Sequence, residues 1–251
     1  MCTLTFVPRD DGYYLAMNRD ESISRGVAHP PARIDLPGLK TNAIYPRDVA
    51  GGTWIAANDR GITFGLLNWN DVHRPGADKI RSRGVVIPHL VQFGSHHDVQ
   101  TAVRLFDLKG ILPFRLVGIF PLEKKIGEWR WNRDSVEVQH LAWERRHWFS
   151  SGVSDEQASR LRGTICQDAW AAEDAGSLPR LRQLHASHAN GPGPFSLCVH
   201  REGVQTLSYT EVLCMREEVA CRYFSGSPCA MVEPEGVVRM GRVQEVSSLR
   251  R

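Results

Sequence analysis

Strand signals in this chain arrive in groups, with helical signals gathered between the groups, and that order limits the fold more than any other property. Cys2-Thr3-Leu4-Thr5-Phe6-Val7 is rich in β-formers, Arg9-Asp10-Asp11-Gly12 is a turn signal, and Tyr13-Tyr14-Leu15-Ala16-Met17-Asn18 answers as a second strand. Thr53 to Ala57 and Ile62 to Leu67 flank Asn58-Asp59-Arg60-Gly61, a second hairpin. Residues 22 to 50 carry four prolines and alternate little, so a long ordered loop is expected there. Helical periodicity follows. Ser82 caps a helix to about Phe93 that Pro88 bends or shortens, and 98–108 places Val99, Ala102, Val103 and Phe106 on one face. Strand-like runs cover 114–120, 125–132, 135–142 and 147–151. Ser154 and Gln157 fit a capping box opening a helix to about Ala172, and a shorter helix covers 179–189. Strands near 195–201, 203–213 and 219–225 precede a polar tail from about Glu233.

Strands grouped with strands argue for an α+β fold of mostly antiparallel sheets with helices packed on them. A four-layer α/β/β/α sandwich fits that order, as do other α+β arrangements. At 251 residues, without internal repeat or linker, the chain is expected to form a single domain over 1–251.

Hydrophobic residues make up 42% and charged residues 24%, the balance of an ordinary globular chain. The net charge of +3 is spread along the sequence without a basic run, so nucleic acid is not an expected partner. No apolar stretch reaches the ~20 residues that span a bilayer. The N-terminus lacks a basic region followed by an apolar one, so a cytoplasmic location is expected. There the six cysteines stay reduced. None forms a CxxC pair, and no metal or other cofactor is expected. The adjacent His96-His97 point in different directions, His185-x-x-His188 reads as a solvated helix face, and Cys198 reads as a small buried residue sharing a strand face with His200.

The chemistry is concentrated at the start. Once Met1 is removed, Cys2 carries a thiol and a free α-amine, with unperturbed pKa values of about 8.5 and about 7.7–8.0. The amine can then act as base toward its own thiol. Asn18-Arg19-Asp20-Glu21 ends the strand that answers the Cys2 strand, which puts Asp20 at the same sheet end as Cys2. In an extended strand Arg19 and Glu21 project to the face opposite Asp20. Gly51-Gly52-Thr53-Trp54 offers close backbone approach at Gly52 and a pocket wall at Trp54.

Met1-Cys2, Asn18-Arg19-Asp20-Glu21, Gly51-Gly52-Thr53-Trp54, Arg60-Gly61 leading to Leu67-Asn68, and Ser82-Arg83-Gly84 occur together in an order that resembles the NRDE family, the family of transport and Golgi organisation protein 2. The match is dense over residues 1–95. Phe195-Ser196-Leu197-Cys198-Val199-His200 with Thr206-Leu207-Ser208 resembles a late motif of bacterial members. That family is similar in turn to N-terminal nucleophile hydrolases of the choloylglycine hydrolase and penicillin acylase type, whose fold is the α/β/β/α sandwich. The resemblance implies catalytic roles for Cys2 as nucleophile, Asp20 as orienter of its amine, and Asn68 as oxyanion donor, with supporting roles for Asn18, Arg19 and Ser151. It also marks departures. Ser151 stands where a second asparagine is expected, and Met17 where those hydrolases have an arginine. Their late arginine matches Arg201, Arg222 or Arg239 equally well.

The resemblance therefore implies an amidohydrolase acting on a carbon–nitrogen bond of a small or acyl substrate. The alternative is a non-catalytic carrier on the same fold, because eukaryotic relatives are linked to secretory organisation, lipid homeostasis and haem movement. The expected ligand is accordingly a small amide, an acyl or lipid-like molecule, or haem.

Overall fold

The structure, a computed structural model, describes residues 2–36, 41–72, 80–230 and 233–243. Its elements run β1 (Cys2–Arg9), β2 (Gly12–Ser22), β3 (His29–Leu36), β4 (Thr41–Arg47), β5 (Ile55–Asn58), β6 (Thr63–Asn68), α1 (Val86–Leu90), α2 (His96–Leu105), β7 (Phe114–Phe120), β8 (Lys125–Trp131), β9 (Val136–Leu141) and β10 (Arg146–Ser150). Then follow α3 (Asp155–Ala169), α4 (Leu178–His185), β11 (His200–Arg201), β12 (Val204–Met215), β13 (Glu218–Ser225) and β14 (Gly236–Gly241).

Every strand pair within the two sheets is antiparallel. One sheet runs β10-β1-β2-β12-β13-β14, with β11 on β12; the other runs β3 to β9 in chain order. Their inner faces meet in an apolar layer. Leu4, Phe6, Tyr13, Leu15 and Met17 of the first sheet pack with Ile44, Ile55, Ala57, Leu67 and Val117 of the second. The sheets approach so closely that a Cβ at Gly65 would sit 2.7 Å from Leu4 Cδ2, so this position in β6 excludes a side chain. Helices α1 and α2 cover the outer face of the second sheet, burying Ile87, Leu90, Val99 and Val103 on Phe64, Leu66 and Phe114. Helices α3 and α4 cover the first sheet, where Ala158, Cys166 and Leu184 meet Phe149 and Leu197. The result is a four-layer α/β/β/α sandwich.

Local chemistry sets the boundaries. Ser95, Ser154 and Ser177 each accept a hydrogen bond from the backbone N–H three residues on, capping α2, α3 and α4. Ser82 accepts from Gly84 N–H, two residues on, but Arg83–Val85 is a 3-10 turn and α1 ends at Leu90, shorter than the sequence predicts. The expected 22–50 loop is largely two strands, β3 and β4. Pro30 and Pro31 fall where the β3/β4 register shifts between His29 and Ala32, on an edge strand that does not need their missing N–H groups. Pro37 lies outside the described residues. The tail expected from about Glu233 holds β14, where Met240 is buried and Val238 packs on the inter-sheet core; two inward residues are too few to register as alternation. Among the described residues no helix is long and apolar enough to cross a membrane.

Candidate active site

Cys2 opens β1 and is paired on both sides, opposite Ser150 of β10 and opposite Arg19 of β2. Its side chain faces the inter-sheet layer and is 7% exposed. Its backbone N–H donates to Ser150 Oγ at 2.8 Å. Beside it lies a cavity of about 70 Å3 bordered by Cys2, Arg19, Asp20, Trp54, Asn68 and Arg83. Five residues singled out from sequence thus converge there from β1, β2, the approach to β5, and the end of β6.

Directly opposed residues on antiparallel neighbours share a face. Arg19 therefore lies on the Cys2 side, and its guanidinium sits 4.5 Å from the ring centroid of Trp54, a cation–π contact between the two sheets. Asp20 turns to the helix side while still bordering the cavity. Its Oδ1 accepts from Thr206 Oγ1 at 2.6 Å, and Oδ2 lies 3.6 Å from Arg162 Nη2. A register shift between Thr206 and Ser208 accompanies this aim, as bulges commonly do near sites.

Arg162 is the residue the sequence did not yield. It comes from α3, is fully buried, and also donates to Thr3 Oγ1 at 2.8 Å, Pro194 O at 3.2 Å and the Cys2 and Ser150 carbonyls at 3.4 Å. Arg201 and Arg222 lie on other strands, and Arg239 pairs with Glu218. Burial raises the Asp20 carboxyl above its ordinary value while Arg162 pulls it back, and burial lowers Arg162 while Asp20 opposes. Burial also raises the Cys2 thiol, and Asp20 adds to that shift. Arg83, half-buried with Nε on Pro113 O at 2.9 Å, is a second cation of the cavity wall; burial lowers it, while Glu21 and Cys2 oppose.

Gly52 stands behind the wall. A Cβ there would lie 3.0 Å from Gly84 Cα, so the two backbones touch only because both lack side chains. Asp48 holds this loop by accepting from Gly52 N at 2.8 Å and Ala50 N at 3.0 Å. The rim continues as Glu21, Arg25 and Asp48, each carboxylate 3.7 Å from the arginine.

Two expected supporting residues are placed elsewhere. Ser151 does not face the cavity; its N–H donates to Asp155 Oδ1 at 2.6 Å and its hydroxyl to Pro194 O at 3.3 Å. Ser150, one residue earlier and in register with Cys2, is the serine that reaches Cys2. Asn18 faces the helix layer, where Nδ2 donates to the carbonyls of His185 and Leu197 at 2.9 and 2.8 Å. A directional chain runs into it. Trp170 Nε1–H donates to His147 Nε2 (2.6 Å), His147 Nδ1–H to Thr5 Oγ1 (2.9 Å), the Thr5 hydroxyl to His185 Nε2 (2.9 Å), and His185 Nδ1–H to Asn18 Oδ1 (3.0 Å). Burial above all lowers each imidazole to about 3, helped by Arg145 at His147 and by His147 and then Arg162 at His185, so both rings are held in the neutral form. His185 is thus buried structure, not the solvated helix face expected from its spacing to His188.

The α/β/β/α sandwich is the fold of N-terminal nucleophile hydrolases. Solved structures agree at the level of fold. Penicillin V acylase from Agrobacterium tumefaciens aligns with TM-score 0.56 and 12% identity, covering 96% of this chain and 86% of that one. Two variants of conjugated bile acid hydrolase from Clostridium perfringens align with TM-scores 0.52 and 0.54, at 11% and 10% identity, covering 96% of this chain and 92% of theirs. No curated protein sequence matches. The family profile of Transport and Golgi organisation 2 matches residues 1–161, and the chain belongs to that family.

Proposed function

We propose that this protein is an N-terminal cysteine amidohydrolase, active after removal of Met1, on a small or acyl amide. The observation that carries this reading is the Cys2 nitrogen held 2.8 Å from Ser150 Oγ beside a cavity that Cys2 shares with Asn68. In the intact chain that nitrogen is an amide and the buried thiol stays protonated. Freed, the nitrogen becomes the base the thiol lacks, with Ser150 Oγ and the Asp20 carboxylate on hand to hold its ammonium form.

The sulfur would add to the amide carbonyl carbon as its proton passes to the Cys2 amine. The carbonyl electron pair moves to oxygen, where Asn68 Nδ2 donates to the oxyanion. Collapse breaks the carbon–nitrogen bond, and the leaving amine takes the proton back from Cys2. Water, deprotonated by the same amine, then cleaves the thioester and restores the thiol. A space of about 70 Å3 admits the scissile group and leaves bulkier substituents at the charged rim of Glu21, Arg25 and Arg83. The test is the intact mass of the purified protein, which should lack Met1, together with an N-terminus-selective thiol probe that labels wild type and not Cys2→Ala. Retained methionine overturns the mechanism.

A carrier reading draws on a different concavity. A groove of about 940 Å3 opens between α2 and the β8–β9 hairpin, with Val103, Phe106, Ile111 and Trp131 in its lining and Arg81 and Lys109 beside them. Such a surface suits an amphipathic anion of the acyl-lipid or haem kind. Ligand that titrates into Cys2→Ala as tightly as into wild type, and is lost in Phe106→Asp, supports this reading; no binding of palmitate or haemin counts against it.

A further inference from the structure

We propose that His188, Cys198, His200 and Cys229 bind one zinc(II) ion behind the Asp20 anchor. Three stretches of the chain deliver these ligands. His188 follows α4, Cys198 precedes β11, His200 opens β11, and Cys229 sits in the 3-10 turn Pro228–Ala230. One donor atom from each lies within 4.8 Å of all the others. His200 Nε2 is 3.4 Å from Cys198 Sγ and 3.3 Å from Cys229 Sγ, and the His188 and His200 rings meet edge-on with centroids 5.0 Å apart. Zinc with bonds of about 2.3 Å to sulfur and about 2.0–2.1 Å to nitrogen has a tetrahedral N···S edge of about 3.5 Å. The two observed N···S distances match that edge without rearrangement.

A hydrogen-bonded cluster of thiols and imidazoles would satisfy its members, but here His188 Nε2 is shielded from solvent and has no hydrogen-bond partner among the described residues. A Cys2His2 donor set is also a borderline-soft one, suited to zinc and not to magnesium or calcium. Binding releases one proton from each thiol, and two thiolates then neutralise the dication. That neutrality suits Cys198, which is buried. Cys229 is exposed and gives the metal a way in.

The consequence for the fold is specific. Cys198 and His200 bracket Val199, whose N–H donates at 2.8 Å to Thr206 Oγ1, the hydroxyl that holds Asp20. The ion would tie the end of α4, the β11–β12 hairpin and the 228–230 turn into one unit behind that contact. The absence of any CxxC pair hid this set, because only Cys198 and His200 are near neighbours in sequence.

Metal analysis of full-length protein, grown with zinc and purified anaerobically without chelator, tests the assignment. One zinc per chain is expected, falling at least about tenfold in Cys229→Ser and in His200→Ala. Both variants should still melt cooperatively; Cys229→Ser changes an exposed side chain and guards against an unfolded control. Cobalt(II) added to the demetallated protein should give tetrahedral visible bands and a thiolate-to-cobalt charge-transfer band, the latter weakened in Cys229→Ser. Wild type without stoichiometric metal, copper in place of zinc, a Cys198–Cys229 disulfide, or a Cys229→Ser variant that keeps its zinc would each overturn the proposal.

Discussion

β1 and β2 carry two polar assemblies on their opposite faces, and the two are built on different rules. On the helix side, Trp170, His147, Thr5, His185 and Asn18 form a chain in which every donor has an acceptor and both histidines are neutral. On the sheet side and at its end, Cys2, Arg19, Asp20, Asn68 and Arg83 surround open volume, and burial displaces the titration of Cys2, Asp20 and Arg83. A closed circuit of hydrogen bonds rigidifies a scaffold. Displaced titration around a cavity is the mark of a group left in reserve for chemistry. The same two strands supply both, one face apart.

The largest expected effect isolates the cavity. Cys2→Ala should lower amide turnover by about a thousandfold or more, with the unfolding midpoint near wild type. Activity that survives the substitution would move the chemistry away from this cavity. Next in size is Arg162→Met, which leaves Asp20 buried without its cation. Denaturant titration should show a loss of about 3–5 kcal/mol, most of it relieved in the Arg162→Met/Asp20→Asn double variant. A cost that the double variant does not relieve would mean that Arg162 acts through packing alone. Asn68→Ala should cost about 3–4 kcal/mol of transition-state stabilisation in kcat with little change in stability. Equal losses in both measurements would place Asn68 with the scaffold.

The helix-side chain should respond to acid instead. Each histidine has a folded pKa of about 3 against an unfolded value near 6.5. Between those values the unfolded chain binds more protons, so stability rises with pH and is lost as pH falls from about 6.5 toward 3. Each residue contributes about 1.4 kcal/mol per pH unit in that window. His185→Gln should remove about half of the excess slope of the urea midpoint; an unchanged slope would show that the imidazoles titrate freely. Smallest is Ser151→Ala, expected to lower stability by about 1 kcal/mol and leave kcat unchanged. A hundredfold fall in kcat would restore Ser151 as an oxyanion donor and blur the division between the faces.

How much could be read in advance follows the range of the interactions involved. The β1–β2 hairpin was legible because propensity, turn residues and alternation all act within a few positions, and the caps at Ser95, Ser154 and Ser177 are equally local. β3 was hidden because prolines speak against strands unless an edge and a register shift absorb them, and both are tertiary facts. Cys2, Asp20 and Asn68, singled out through resemblance, border one cavity. Arg162 escaped because a charged residue in a polar-looking helix gives no sign of being buried whole. The choice of Ser150 over Ser151 turns on a one-residue register that only strand pairing sets.

Asn18-Arg19-Asp20-Glu21 has a use for anyone who searches for relatives by this tetrapeptide. Asn18 binds carbonyls under the helices, Arg19 stacks on the facing sheet, Asp20 joins β12 and α3, and Glu21 meets Arg25 on the rim. Each side chain fastens a different contact, so the tetrapeptide is a signature of assembly. A chain without the cysteine at position 2 would have every reason to keep it. On the proposed mechanism, sorting enzymes from silent scaffolds within such a search falls to that second residue, and the tetrapeptide says nothing about it.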